Sequence, residues 1–353
     1  MLLGILLLGG FSFVLALLAT ALMIRIAPRL GLVDKPGGRK VHDNPRPLGG
    51  GVAIFIAFAL PMLIGLAVIN FADVSLITRF ISHPDAVAFI TGAQYQTKLS
   101  FGLLAVMLIM HAMGLRDDRK ALGPYVKLVI QLAATAALVI AFDLRALTAL
   151  GYWPSLVLTV LWIVGITNAF NFLDNMDGLS AGVAAVCATA FLITAISIEQ
   201  WFVAATLALL LGALLGFLLF NFPPAKIFMG DSGSLVIGFV LGVLTVRTTY
   251  LAPGEDFGRG WYAVFAPVIV LALPLYDLIV VSIIRISRGK SPFVGDTNHF
   301  SHRLVARGMS RRTAVLCLYL VTAATSVAAI ILPHVRSTFA AMLIFVQTIL
   351  VLG

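Results

Sequence analysis

Four short stretches of this chain hold residue types that do chemistry: "GLRDDRK" (114–120), "NAFNFLDNMDGLS" (168–180), "NFPPAKIFMGDSGS" (221–234) and "GDTNHFSHRLVARG" (295–308). Asp117 and Asp118 are adjacent, and neighbouring carboxylates repel unless a cation or a proton is shared. Helix capping would occupy one of them; the pair points beyond that, to a catalytic or metal role. Asn168, Asn171, Asp174 and Asp177 recur every three residues, a spacing that drifts about 60° per step on an α-helix. A straight helix cannot present all four on one face. Either the helix ends near Asp174 or "NMDG" curls back, with Gly178 as the exit residue. One cap needs one or two such groups, whereas this segment with Asn175 supplies five.

Pro223 and Pro224 stop one helix, and Asp231 opens the next. Alone, Asp231 is an ordinary cap. With four further aspartates on the same face, a hard cation explains it better, since Mg²⁺ takes one or two carboxylates and completes its octahedron with water and phosphate. His299 and His302, three apart on a helix and followed by Arg303, share a face. Zinc lacks a third ligand there, so an anion-binding cluster fits better. His111 reads as packing. Asp277 is an intramembrane carboxylate and a functional hypothesis by default, with a structural pairing to Arg285 or another helix as the alternative.

The elements that must hold these groups are membrane helices. The 353 residues are 61% hydrophobic and 11% charged, and apolar runs of roughly 18–24 residues recur, each able to cross a ~30 Å hydrocarbon core. The expected fold is all-α, one polytopic domain over residues 1–353 with about 10–11 transmembrane helices and its catalytic loops on one side. The spans are predicted at 2–24, 48–70, 98–115, 124–142, 153–170, 179–198, 202–220, 232–250, 262–284, 313–332 and 338–353. The first lacks a basic n-region and reads as a helix rather than a removed signal. The last is short, which leaves the C-terminus clipped or tilted. Cys187 and Cys317 fall inside helices with no metal-like spacing.

Eleven crossings sort the loops into two sets. Residues 25–47, 116–127, 168–178, 221–231 and 285–312 carry 18 of the 24 Lys and Arg. The positive-inside rule puts that set in the cytoplasm and the N-terminus outside. The polar motifs fall in the same set, so five loops are expected to build one face. The net charge of +9 is then a basic rim suited to anionic headgroups or an anionic substrate. Lys40 and His42 in "RKVHDNPR" (39–46) are candidate phosphate contacts, or simply follow the same rule.

From "DKPGGRKVHDNPRPLGGGVAI" (34–54) to "DTNHFSHRL" (296–304) the chain resembles the polyprenyl-phosphate N-acetylhexosamine-1-phosphate transferase family, with five motifs in the family's order. The resemblance implies that Asp117 and Asp118 serve the lipid-phosphate acceptor, one of them as base. It implies that Lys127 touches the pyrophosphate and that Asn171, Asp174 and Asp177 surround nucleotide and metal. Asp231 would ligate Mg²⁺, with Asp177 as second metal residue and Mn²⁺ as a substitute ion. Phe228 would stack on uracil and Asn221 contact it. His299, His302 and Arg303 would lie near the sugar and diphosphate. The chain departs from the hexosamine branch at Ser301, where many members carry histidine.

The reaction implied is transfer of N-acetylhexosamine-1-phosphate, GlcNAc-1-phosphate first, from a UDP-N-acetylhexosamine to polyprenyl (undecaprenyl) phosphate in a bacterial inner membrane. The phospho-N-acetylmuramoyl-pentapeptide transferases are the nearest alternative. A transporter or flippase is the alternative of another class, disfavoured because the charged motifs gather at one boundary instead of the midplane. No nucleic-acid partner is expected, and a homodimer is left open.

Overall fold

A computed structural model describes residues 1–34, 45–73, 86–248, 250, 261–292, 298–332, 335 and 337–352. Lys40 and His42 lie outside the described residues. The helices are α1 (Leu2–Ile26), α2 (Gly50–Phe71), α3 (Ala86–Tyr95), α4 (Thr97–Arg119), α5 (Pro124–Phe142), α6 (Tyr152–Leu173) and α7 (Leu179–Ser197). They continue with α8 (Trp201–Asn221), α9 (Asp231–Arg247), α10 (Ala266–Val270), α11 (Ala272–Ser287), α12 (Phe300–Ala306), α13 (Arg311–Ile331) and α14 (Thr338–Leu352). Strands β1 (Val33–Asp34) and β2 (Arg46–Pro47) form one small antiparallel pair, Val33 opposite Pro47. The chain is an all-α, multi-pass membrane protein.

Each of the eleven predicted spans has a helical counterpart. Among the described residues eight helices are long and apolar enough to cross a bilayer. The predicted span 262–284 is not one straight rod, because its two halves meet at 69°. Pro274 has no N–H to give the carbonyl of Val270 four residues back, so the helical ladder lapses at Leu271. Helix α3 was not expected. Its ten residues are too few to span a membrane, and a run of that length escapes a search for spans.

Helix α9 is the centre of the bundle: every residue from Ser232 to Thr245 is buried. By contrast α1 turns Leu3, Leu6 and Leu7 outward, as a lipid-facing helix does. A helix enclosed on all sides needs neighbours without bulk where backbones touch. A Cβ on Gly114 of α4 would sit 2.4 Å from the amide of Ser232, and one on Gly51 of α2 at 2.4 Å from that of Gly233. The first turn of α9 is thus gripped between two glycines of adjacent helices. His111, one turn before Gly114, stacks on Phe55 with centroids 4.5 Å apart, and its Nδ1 lies 2.9 Å from the Ser232 carbonyl. It packs as expected and also ties α4 to α9.

Since the atom facing Gly114 is backbone, Gly114→Ala should lower stability by about 1–3 kcal/mol through overpacking. Thermal unfolding in detergent, compared with the wild type, measures it.

Candidate active site

Helix α9 begins at Asp231 after Gly230, which takes φ 73°, a left-handed conformation that glycine adopts without strain. First-turn amides of a helix lack intrahelical acceptors. Here Asp118 supplies them from another helix. Its Oδ1 accepts the Asp231 N–H at 2.8 Å and its Oδ2 the Ser232 N–H at 3.2 Å. A side chain on Gly230 would collide with that carboxylate, at 2.6 Å from either oxygen. Asp118 is therefore a capping anion, but for α9 rather than for the helix next to it in sequence.

Asp117 points elsewhere. The Leu122 amide donates to its Oδ1 at 2.6 Å, and Lys127 donates from Nζ to its Oδ2 at 3.2 Å. The same Nζ donates to Asp231 Oδ2 at 2.8 Å. Asn171 Nδ2 donates to the other oxygen, Asp231 Oδ1, at 2.9 Å, and also reaches Ser234 Oγ at 3.0 Å. Asp117, Lys127, Asp231 and Asn171, from four helices, form one hydrogen-bonded group. Asn168, one turn before Asn171, donates instead to the buried Gln131 at 2.6 Å.

Helix α6 ends at Leu173, so the spacing of three is resolved by termination near Asp174. Gly178, expected as the exit, is the entry to α7 at φ 73°; four residues of loop intervene. Asp174 faces the charges of Asp231, Asp118 and Asp177. Burial first, then those like charges, hold its carboxyl well above the ordinary range. Asp177 Oδ2 accepts the Ala225 N–H at 2.9 Å. Asn221 spends both ends of its buried amide on backbone: Oδ1 accepts from Gly178 at 3.0 Å, and Nδ2 donates to the Ile227 carbonyl at 2.8 Å. Phe228 is half-buried, with its N–H on the Pro47 carbonyl at 2.9 Å and its carbonyl accepting from Gly50 at 3.0 Å.

A second cluster lies on the far side of the same α6–α7 loop. His299 precedes α12 as its N-terminal cap, with φ −58° and ψ 150°, so the expected shared helix with His302 starts one residue later. The two rings are nonetheless 6.2 Å apart. His299 Nδ1 lies 2.7 Å from Asp277 Oδ2 and its Nε2 3.3 Å from Arg285 Nη2. A guanidinium only donates, which makes Nε2 the acceptor and places the ring proton on Nδ1, toward Asp277. Asp277, whose Oδ1 also accepts the Phe300 N–H at 2.8 Å, is thus paired with this segment. Arg303 lies over the Phe300 ring at 5.2 Å and reaches the Tyr276 hydroxyl at 3.4 Å. Ser301 donates to Asn175 Oδ1 at 2.6 Å. The end of α6 and the loop after it thus touch both clusters, Asn171 reaching Asp231 and Asn175 reaching Ser301.

Residues Asp277, Tyr276 and Gln131 were not singled out as site residues. Only the intramembrane position of Asp277 flagged it. All five loops of the basic set meet in these contacts, the first through Pro47 on Phe228, continued by Gly49–Gly51 on Phe228 and Met229.

For a cation, the charge balance is favourable. Two carboxylates, Asp117 and Asp231, already share the ammonium of Lys127, and Asp174 is crowded by Asp231, Asp118 and Asp177. No group of three or more metal-type side chains has closed to ligand distance among the described residues. That donor set fits an ion held by one carboxylate, water and phosphate.

A family model described as glycosyl transferase family 4 matches residues 100–249, which include the Asp117, Asn171 and Asp231 motifs. The "Probable undecaprenyl-phosphate N-acetylglucosaminyl 1-phosphate transferase" of Bacillus subtilis is 32% identical over 347 residues, covering 96% of this chain and 87% of the relative. The "Decaprenyl-phosphate N-acetylglucosaminephosphotransferase" of Mycobacterium tuberculosis is 32% identical over 337 residues, 89% of this chain and 79% of that one. The "Undecaprenyl-phosphate alpha-N-acetylglucosaminyl 1-phosphate transferase" of Escherichia coli is 27% identical over 321 residues, 85% and 76% of the two chains. The chain belongs to glycosyl transferase family 4.

Asp118→Ala leaves two first-turn amides of α9 without acceptors and should cost about 1–3 kcal/mol. Thermal unfolding checks it, and Asp118→Asn, which keeps one acceptor, should fall between alanine and wild type.

Proposed function

We propose that this chain transfers N-acetylglucosamine-1-phosphate from UDP-N-acetylglucosamine to a polyprenyl phosphate and releases UMP. An oxygen of the lipid phosphate attacks the β-phosphorus of the nucleotide. The bond from that phosphorus to the bridging oxygen breaks, and UMP carries the bridging oxygen away. Phosphoryl transfer asks a protein mainly for positioning and charge neutralisation. The observation that carries the reading is the Asp117–Lys127–Asp231–Asn171 group at the mouth of a buried helix, in a chain related over nearly its whole length to transferases of this kind.

Asp117 has one oxygen on Lys127 and is the better placed of the pair to take a proton from, or orient, the lipid phosphate, while Asp118 keeps α9 in register. Lys127 lies between acceptor-side and metal-side carboxylates and would turn to the diphosphate. Arg303, steadied by Phe300 and Tyr276, would meet it from the other side. Asp231 would hold Mg²⁺, with Mn²⁺ as a substitute and Asp177 close by in the loop. Bound Mg²⁺ supplies charge neutralisation on the diphosphate. The reading places the site at the cytoplasmic face of a bacterial inner membrane, with the N-terminus outside. The 18-of-24 cation bias supports it, as does the joining of all five biased loops.

The test is UMP release by purified protein given UDP-N-acetylglucosamine, undecaprenyl phosphate and Mg²⁺, beside Asp231→Asn. Release should require the lipid, stop on chelation by EDTA, and fall at least about a hundredfold in the variant. Release from UDP-N-acetylmuramoyl-pentapeptide instead would shift the reading to that branch. No release from either donor, with the protein folded, would sink it.

A further inference from the structure

The other end of the bundle holds a cavity of about 430 Å³ that the transfer chemistry does not use. It lies among the second half of α2, helix α3, the starts of α4 and α8, and the end of α9. Its walls are largely apolar, including Leu66, Phe89, Trp201 and Leu209, with Arg247 and a few uncharged polar side chains such as Gln96 and Gln200 among them. Phe89 and Trp201 meet edge to face at 6.2 Å, so the wall is built from packed side chains of α3 and α8. Arg247 closes α9, sixteen residues beyond Asp231. At 1.5 Å per residue the two ends are about 24 Å apart, close to the thickness of a hydrocarbon core.

Arg247 is one of the 6 Lys and Arg residues on the cation-poor side of the chain. It is half-buried, and among the described residues no carboxylate pairs with it. An arginine at a helix end reaches the membrane interface, where an anionic headgroup can meet it. Apolar walls with a guanidinium at one end select an amphiphile with a negative head. Gly65 and Gly92 line the same space, and a Cβ on either would meet nothing within 4 Å. The room they leave is open volume, not a close approach of backbones.

We propose that this cavity binds an anionic phospholipid, its phosphate on Arg247 and an acyl chain along the α2–α8 wall, at the membrane boundary opposite the candidate active site. The lipid comes from the bilayer; a free anion would leave the apolar wall uncovered. The inference stands on the cavity and does not depend on the proposed reaction.

Native mass spectrometry of the full chain in detergent tests it, with phosphatidylglycerol, phosphatidylcholine or inorganic phosphate added. Phosphatidylglycerol adducts should outlast phosphatidylcholine adducts. Arg247→Gln should cut their retention about fivefold and Arg247→Lys much less. Gly65→Phe, which fills the space, should reduce both lipids while leaving the protein monodisperse by size exclusion. Equal retention of phosphatidylglycerol by wild type and Arg247→Gln would overturn the proposal. So would equal retention of the two lipids by wild type, or displacement of phosphatidylglycerol by millimolar inorganic phosphate.

Discussion

The first turn of α9 must be polar enough to serve a site and yet lie inside a bundle. Two amides there face no acceptor of their own helix, and burying them bare would be expensive in a membrane protein. The carboxylate of Asp118 resolves the conflict by accepting both. Much else follows from that contact. It requires glycine at 230, it brings α4 near enough that Gly114 has no room for a side chain, and it aims the Asp231 carboxylate at Lys127 and Asn171.

Charge is then distributed by partnership. Lys127 serves two carboxylates at once, so the cluster is less negative than its count of aspartates suggests. The carboxyl of the neighbouring Asp174 is instead held above the ordinary range by burial and by the charges of Asp231, Asp118 and Asp177. Across the α6–α7 loop the cations are held differently. Arg285 and Arg303 lie over the rings of Phe172 and Phe300, and His299 is fixed from both nitrogens. Aromatic faces and a buried carboxylate keep these groups oriented.

The helices were legible because lipid imposes a length on apolar runs, and all eleven predicted spans are helical. The gathering of five loops was legible because cation bias alternates with each crossing. What stayed hidden depends on partners distant in sequence. Asp118 finds its amides 113 residues away; spacing alone allowed it to cap its neighbour. Asn221 looked available and is consumed by backbone. The bend at Leu271 follows from a proline inside an apolar run, where hydropathy sees no break. His299 was drawn inside a helix that starts one residue later, an uncertainty common to all helix ends.

Ser301, the departure from the expected histidine pattern, is 1% exposed. Its hydroxyl is spent on Asn175, whose own amide holds the Phe172 carbonyl at 2.8 Å. A bulkier side chain at 301 would displace that hydrogen bond. Ser301 and Asn175 therefore act as one packed unit that ties the start of α12 to the α6–α7 loop. A substitution at 301 is thus felt at the loop that carries Asp174 and Asp177, and not only within the histidine segment.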